Sequence, residues 1–202
     1  MKTTINDKTL NINTSGIRDW HNNNHYFRYE PTSYNLLNLL FEELNLNDDD
    51  VFVDFGSGKG RVVFYTNYLF NCFTKAIEAN HITHDEAINN LHGYLKVNPD
   101  ATAKMKFELS KAEHYQINKE DNIFYFFNSF SVVIFKKVIS NILESLKESP
   151  REITLIMYYS FPDYLNFINE HTPFKLIKKI TEPNNPQPQQ NFLLYRCQLE
   201  KH

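Results

Sequence analysis

The stretch Val51-Phe52-Val53-Asp54-Phe55-Gly56-Ser57-Gly58-Lys59-Gly60 reads as a buried strand running directly into a glycine-rich turn. Val51, Val53 and Phe55 are strand formers, and Phe52 makes the run apolar on both faces, as a central parallel strand requires. Gly56, Gly58 and Gly60 let the backbone turn tightly and approach a ligand with no Cβ in the way. Arg61 to Phe70 then reads as a helix whose N-terminal amides point at that ligand.

Strand and helix alternate outward from this unit. Thr74 to Glu78 reads as the next strand, and Ile82 to Val97 has helical spacing with Asn80 or Thr83 as its cap. Met105 to Leu109, Ile123 to Asn128 and Glu152 to Tyr158 are three further strands. Val132 to Lys147 and Pro162 to Glu170 are helices, the second with proline in its first turn, where a missing N–H is harmless. Phe174 to Ile180 and Phe192 to Gln198 have no helix between them, so they are expected to pair antiparallel as a closing hairpin. Upstream, Pro31-Thr32 opens a helix with Thr32 as its expected N-cap and Leu36, Leu37, Leu40, Phe41 and Leu44 as its apolar stripe.

A chain of 202 residues with 42% hydrophobic and 15% aromatic content is enough for one domain with a full core. A net charge of -3 sets up no global basic field, which makes DNA an unexpected partner. Cys72 and Cys197 stand alone, as in a reducing cytoplasm, and no apolar run approaches the ~18 residues of a membrane span. Residues 1 to about 25 are polar and rich in Asn, and are expected to be loosely held. Trp20 is the exception, a large ring expected to dock on the domain. The expected organisation is an N-terminal arm or lid over residues 1–28 and a ligand-binding domain over 29–202.

A dinucleotide site has the spacing Gly-x-Gly-x-x-Gly. Here the glycines alternate, Gly56-x-Gly58-x-Gly60, and Asp54 stands two residues before the first. This form resembles motif I of the class I methyltransferases that use S-adenosylmethionine. Glu78, which ends its strand twenty residues past Gly58, falls where an acid would accept both ribose hydroxyls. Tyr29-Glu30-Pro31-Thr32 resembles the Tyr-x-Pro-Thr lead-in of a group of small methyltransferases that includes protein-lysine enzymes. Asn128-Ser129-Phe130 resembles the Asn/Asp-Pro-Pro/x-Phe/Tyr motif of amino-group methyltransferases, with Ser129 where Pro is expected.

The resemblance implies an α/β, Rossmann-like fold: a mostly parallel seven-stranded sheet with a C-terminal antiparallel hairpin and helices on both faces. It implies S-adenosylmethionine as cofactor, held by Tyr29, Thr32, Asp54, Gly56, Ser57, Gly58, Gly60, Glu78, Ala112, Glu113 and Asn128. Ala112 would offer its amide to the adenine ring, and Glu113 or Ser110 would meet the adenine amino group. Asn128, Phe130 and Tyr158 are the residues it points to at the acceptor, which is a protein, an RNA or a small molecule. As a strand-end acid at a cleft edge, Glu78 is expected to matter for the cofactor and little for stability.

Other readings stand beside these. Asn128 reads equally as a helix cap, and the scaffold reads also as a non-catalytic binding module or, against its glycine spacing, as an NAD-dependent oxidoreductase. His21 with His25, and His81 with His84, lack a third ligand at fixed spacing, so no metal is expected.

Overall fold

Apolar runs of strand length alternate with amphipathic helices along this chain, and the computed structural model, which describes residues 5–19, 25–182 and 190–198, assembles them into one sheet. The strands are β1 (Val51–Phe55), β2 (Phe73–Glu78), β3 (Met105–Leu109), β4 (Ile123–Phe127), β5 (Glu152–Tyr158), β6 (Lys175–Thr181) and β7 (Asn191–Gln198). Their spatial order is β3-β2-β1-β4-β5-β7-β6. β1 to β5 run parallel, and β7 is antiparallel to both β5 and β6. The sheet is thus the expected one, with the hairpin at its edge. The order reverses between β1 and β4, and at that reversal an open α/β sheet leaves a crevice beyond its strand C-termini.

The helices are α1 (Asp7–Leu10), α2 (Tyr34–Glu43), α3 (Arg61–Phe70), α4 (His81–Val97), α5 (Val132–Glu148) and α6 (Pro162–His171). All five residues of β1 are buried, as its double-sided apolar pattern requires. The apolar stripe of α5, including Phe135, Val138, Ile139 and Ile142, packs on one face of the sheet's core, and that of α2 belongs to a second apolar cluster with Phe52 and Tyr125.

Two expected caps move. Ser33, not Thr32, caps α2, its Oγ accepting from the Leu36 N–H at 3.3 Å. The Thr32 hydroxyl turns inward instead and pairs with the Tyr125 hydroxyl at 2.9 Å. Ser131 is the N-cap residue of α5, while Asn128 lies three residues earlier in the left-handed region at φ 42°, so Asn128 is not the cap of that helix.

Among the described residues of this segment, 5–19 are packed rather than loose, because their asparagines find partners. Asn6 caps α1, and Asn11 ends it in the left-handed conformation. The Asn11 Nδ2 then donates to the Gly93 carbonyl of α4 at 2.7 Å, and a Cβ on Gly93 would overlap the Asn11 carbonyl. The Asn13 N–H donates to Asn90 Oδ1 at 2.8 Å, and Leu10 and Thr14 are fully buried. Trp20 lies outside the described residues.

At the opposite end of β4 from the crevice, Asp121 is fully buried and takes the Lys75 ammonium at 2.5 Å, the Tyr115 hydroxyl at 2.9 Å and the Asn118 N–H at 2.9 Å. At the far edge of the sheet, β6 exposes Leu176 and Ile177 among Lys175, Lys178 and Lys179, with a register shift between Leu176 and Lys178. Removing one partner of a buried ion pair strands the other charge, at a cost of about 3–5 kcal/mol. Asp121→Asn is therefore expected to lower unfolding free energy by about that amount in a denaturant titration. The folded fraction should retain its ligand affinity.

Candidate active site

Beyond the C-terminal ends of β1, β2 and β4 lies a cleft that opens to solvent. The sheet side contributes Asp54, Gly56, Ser57, Ile77, Glu78 and Ala112, and the N-terminal segment contributes Tyr26, Tyr29 and Thr32.

Glu78 ends β2 and is only 7% exposed. One carboxylate oxygen accepts from the Gly58 N–H at 2.8 Å and the other from the Asn80 N–H at 2.7 Å. Burial pushes this carboxyl above the ordinary range, against the pull of those amides. The Ala79 amide also bears on the carboxylate, which lines the cleft. The expectation that Glu78 has little to do with stability is corrected here: it ties the glycine loop and the start of α4 to the end of β2.

The loop itself is held by its amides. Gly56 and Ser57 both donate to the Ile77 carbonyl, at 2.9 and 3.1 Å. Gly58 has φ 56°, and a Cβ there would overlap the Tyr29 ring. Tyr29 lies across the loop with its hydroxyl donating to the Thr14 carbonyl at 2.6 Å, so Gly58 and Gly60 sit beneath the Tyr29 and Phe64 rings and do not line the cleft.

Two polar groups in the cleft lack protein partners. Asp54 is 3% exposed, and no hydrogen bond reaches its carboxyl from the described residues; burial first, and then the nearby Glu78, push it well above the usual carboxylate range. Ser57 Oγ is buried without a partner. Buried polar groups are normally satisfied, so such exceptions in a cleft mark where a polar ligand fits.

A second cavity adjoins the first and shares Phe27, Arg28, Glu30 and Phe127 with it. Asn128, Tyr158, Tyr159 and Gln190 complete its wall. Asn128 and Tyr159 are both left-handed, at φ 42° and 52°, a strained state for a bulky residue. Asn128 Oδ1 is buried with no hydrogen-bond partner among the described residues. Burial pushes the Tyr158 hydroxyl up to about 12, so it stays protonated at neutral pH.

Phe130, expected over the acceptor, is corrected: it is 1% exposed in the core, edge-on to Tyr26 at 6.0 Å, and lines neither cavity. The turn at Asn128 and Ser129 carries it inward and leaves Phe127 at the shared wall.

Tyr26 is the participant that sequence patterns do not disclose. Its hydroxyl accepts from the Ala112 N–H at 3.2 Å and donates to the Glu113 carboxylate. No three His, Cys, Asp or Glu side chains converge as a metal site among the described residues. Nor is any described helix long and apolar enough to cross a membrane.

The family model described as histone methylation protein DOT1 matches residues 9–182. Among solved structures, an RNA methyltransferase from Salinibacter ruber in complex with S-adenosyl-L-homocysteine is similar at TM-score 0.54 and 14% identity, covering 86% of this chain and 95% of its own. An rRNA methylase from Streptococcus thermophilus is similar at TM-score 0.57 and 15% identity, covering 81% and 95%. A human methyltransferase 10 domain containing protein is similar at TM-score 0.57 and 12% identity, covering 83% and 84%. At these identities the structures show a shared fold.

An unpaired buried carboxylate is a cost that protonation relieves. With its folded pKa above the unfolded one, Asp54 favours the native state less as pH rises from the ordinary carboxylate range through its raised value, and the cost is fully present above that. Asp54→Asn is expected to raise the melting temperature of the ligand-free protein at pH 7 by at least ~2 °C, the shift about 1 kcal/mol produces in a chain of this size. The gain over wild type should shrink as pH falls toward 4. Scanning calorimetry of both proteins across pH reads this.

Proposed function

Since this chain belongs to the family described as histone methylation protein DOT1, and is an S-adenosylmethionine-dependent methyltransferase, we propose that its acceptor is an amino nitrogen bound in the aromatic cavity beside Asn128. The observation that carries this is Asn128 Oδ1, a buried oxygen with no partner among the described residues, held by a left-handed backbone at the wall of the second cavity. An oxygen acceptor suits a group that brings N–H donors and must present its lone pair in a fixed direction.

The cleft supports the following cofactor roles, with Glu113 reached through Tyr26 rather than lining it. Glu78 receives the two ribose hydroxyls. Asp54, buried and unpaired, suits the ammonium of the amino-acid end, and Gly56 and Ser57 pack against that end with Tyr29 and Thr32 nearby. The Ala112 amide and Glu113 read the adenine edge. Gly58 and Gly60 shape the loop rather than touch the cofactor. The arm through residue 28 is part of the same catalytic unit as the domain over 29–202, since the segment at 25–30 walls both cavities.

The cofactor supplies an electrophilic methyl group on a sulfonium. The protein orients the neutral amine by Asn128 and excludes water with Phe127, Tyr158 and Tyr159, whose ring faces also favour the positive charge that develops on the nitrogen as its bond to the methyl carbon forms and the sulfonium's bond to that carbon breaks. Glu30 lies in the wall common to both cavities, paired with Arg28 at 2.8 Å. Tyr158, protonated, can donate or orient but does not serve as a base at neutral pH.

Cell extract incubated with methyl-labelled cofactor, then sorted into protein, RNA and small molecules, tests the acceptor class. Label on an amino nitrogen is expected, and label on oxygen or carbon overturns the reading. Asn128→Ala is expected to lower turnover at least tenfold, about 1.4 kcal/mol, with cofactor affinity nearly unchanged. For Glu78→Ala, calorimetric titration should show at least tenfold weaker cofactor binding, about 1.4 kcal/mol. The same substitution should now also lower stability, by about 1–3 kcal/mol, because the Gly58 and Asn80 amides lose their acceptor.

A further inference from the structure

The segment ahead of α2 does more than wall the cleft. Ala112 offers a backbone N–H and, next to it, Glu113 offers a carboxylate; side by side they form a donor and an acceptor. The edge of adenine presents the complement, a ring nitrogen that accepts beside an amino group that donates. In this structure that complement is met by one atom of the protein, the Tyr26 hydroxyl, which accepts from Ala112 at 3.2 Å and donates to Glu113.

Tyr26 is placed there by its backbone. It forms an antiparallel bridge with Phe130. The Phe27 N–H donates to the Ser129 carbonyl at 3.0 Å, and the Ser131 N–H to the His25 carbonyl at 2.8 Å. The ring is 7% exposed and lines the cleft together with Ser110 and Ala112.

We propose that Tyr26 is an internal competitor for the adenine subsite, a side chain that mimics the adenine edge and has to leave before the cofactor can seat. This rests on the reading above that Ala112 and Glu113 receive adenine. One N–H cannot serve the phenol and the purine together, so binding requires the Tyr26 side chain to rotate out while its backbone bonds persist. The apparent affinity is then the intrinsic affinity reduced by the fraction of molecules in which the subsite is open. The hydroxyl makes one neutral and one charge-assisted bond, so its removal raises that fraction.

The probe is S-adenosylhomocysteine. Tyr26→Phe is expected to bind it at least ~threefold more tightly than wild type, because the ring loses both bonds that hold it in the subsite. In the wild-type chain, nitration of Tyr26 by tetranitromethane, located by peptide mapping, should rise several-fold when the probe is added. The amide resonance of Ala112 should shift with the probe in both proteins. If that amide shifts but Tyr26→Phe binds no better and Tyr26 stays protected, the competitor is overturned and the adenine placement stands. If the probe binds with the Ala112 amide unmoved, the adenine placement fails and takes the proposal with it. Should Tyr26→Phe not fold, nitration of the wild-type chain decides alone.

Discussion

One carboxylate holds the site in shape. The two oxygens of Glu78 join three pieces of chain that the sheet alone would leave separate: the end of β2, the Gly58 turn and the Asn80 start of α4. The amide of Gly58 is otherwise an unpaired donor in a turn bent through positive φ. Burying a charge is costly, and the structure offsets that cost with charge-assisted bonds from rigid backbone amides. A group built this way has a fixed direction. Asp54 differs: it is buried nearby with no hydrogen bond to its carboxyl from the described residues, and burial pushes it well above the usual carboxylate range.

The N-terminal segment is joined to the same core by polar contacts where an apolar stripe would be the usual means. Asp7 accepts from the Thr14 N–H at 2.6 Å, from its hydroxyl at 2.7 Å and from the Tyr34 hydroxyl at 2.6 Å. Arg61 of α3 closes the group, donating to Thr14 Oγ1 at 2.7 Å and to the Thr32 carbonyl at 3.0 Å. Arg18 adds a bidentate pair with Glu86 of α4 at 2.8 and 2.9 Å. These bonds tie residues 7–18, the first turn of α3 and the lead-in to α2 together. Tyr29 crosses from there to lie over Gly58, which makes the loop's shape depend on residues more than forty positions earlier in the chain.

That dependence explains which features could be read in advance. The parallel strands, the glycine turn, Glu78 at its strand end, the Asn80 cap and the closing hairpin all follow from local patterns: alternation, period and turn chemistry act within a few residues. The packed arm was not legible, because Asn in a polar stretch looks solvated until the carbonyl of Gly93 and the amide of Asn90 are brought to it. Thr32 and Ser33 are both good caps by type, and only the buried Tyr125 hydroxyl decides between them. At Asn128 the left-handed turn sets where Phe127 and Phe130 point, and nothing in the triplet itself reveals that Phe130 goes inward. Tyr26 was missed for the same reason, since its partners lie 86 and 87 residues away. Asp54, Gly56, Ser57, Glu78 and Ala112 line the cleft, as their places at or just beyond the strand ends lead one to expect.

The far edge of the sheet bears on how the molecule behaves among its neighbours. An edge strand that exposes Leu176 and Ile177 is a template for another chain to add to. Here the ladder is broken between Leu176 and Lys178, and Lys175, Lys178 and Lys179 surround the apolar pair. A visiting strand would have to desolvate those ammonium groups and follow an interrupted register. The irregular, positively charged β6 is thus a guard against edge-to-edge self-association, and it lets the hairpin complete the sheet without turning its last strand into the start of a fibre.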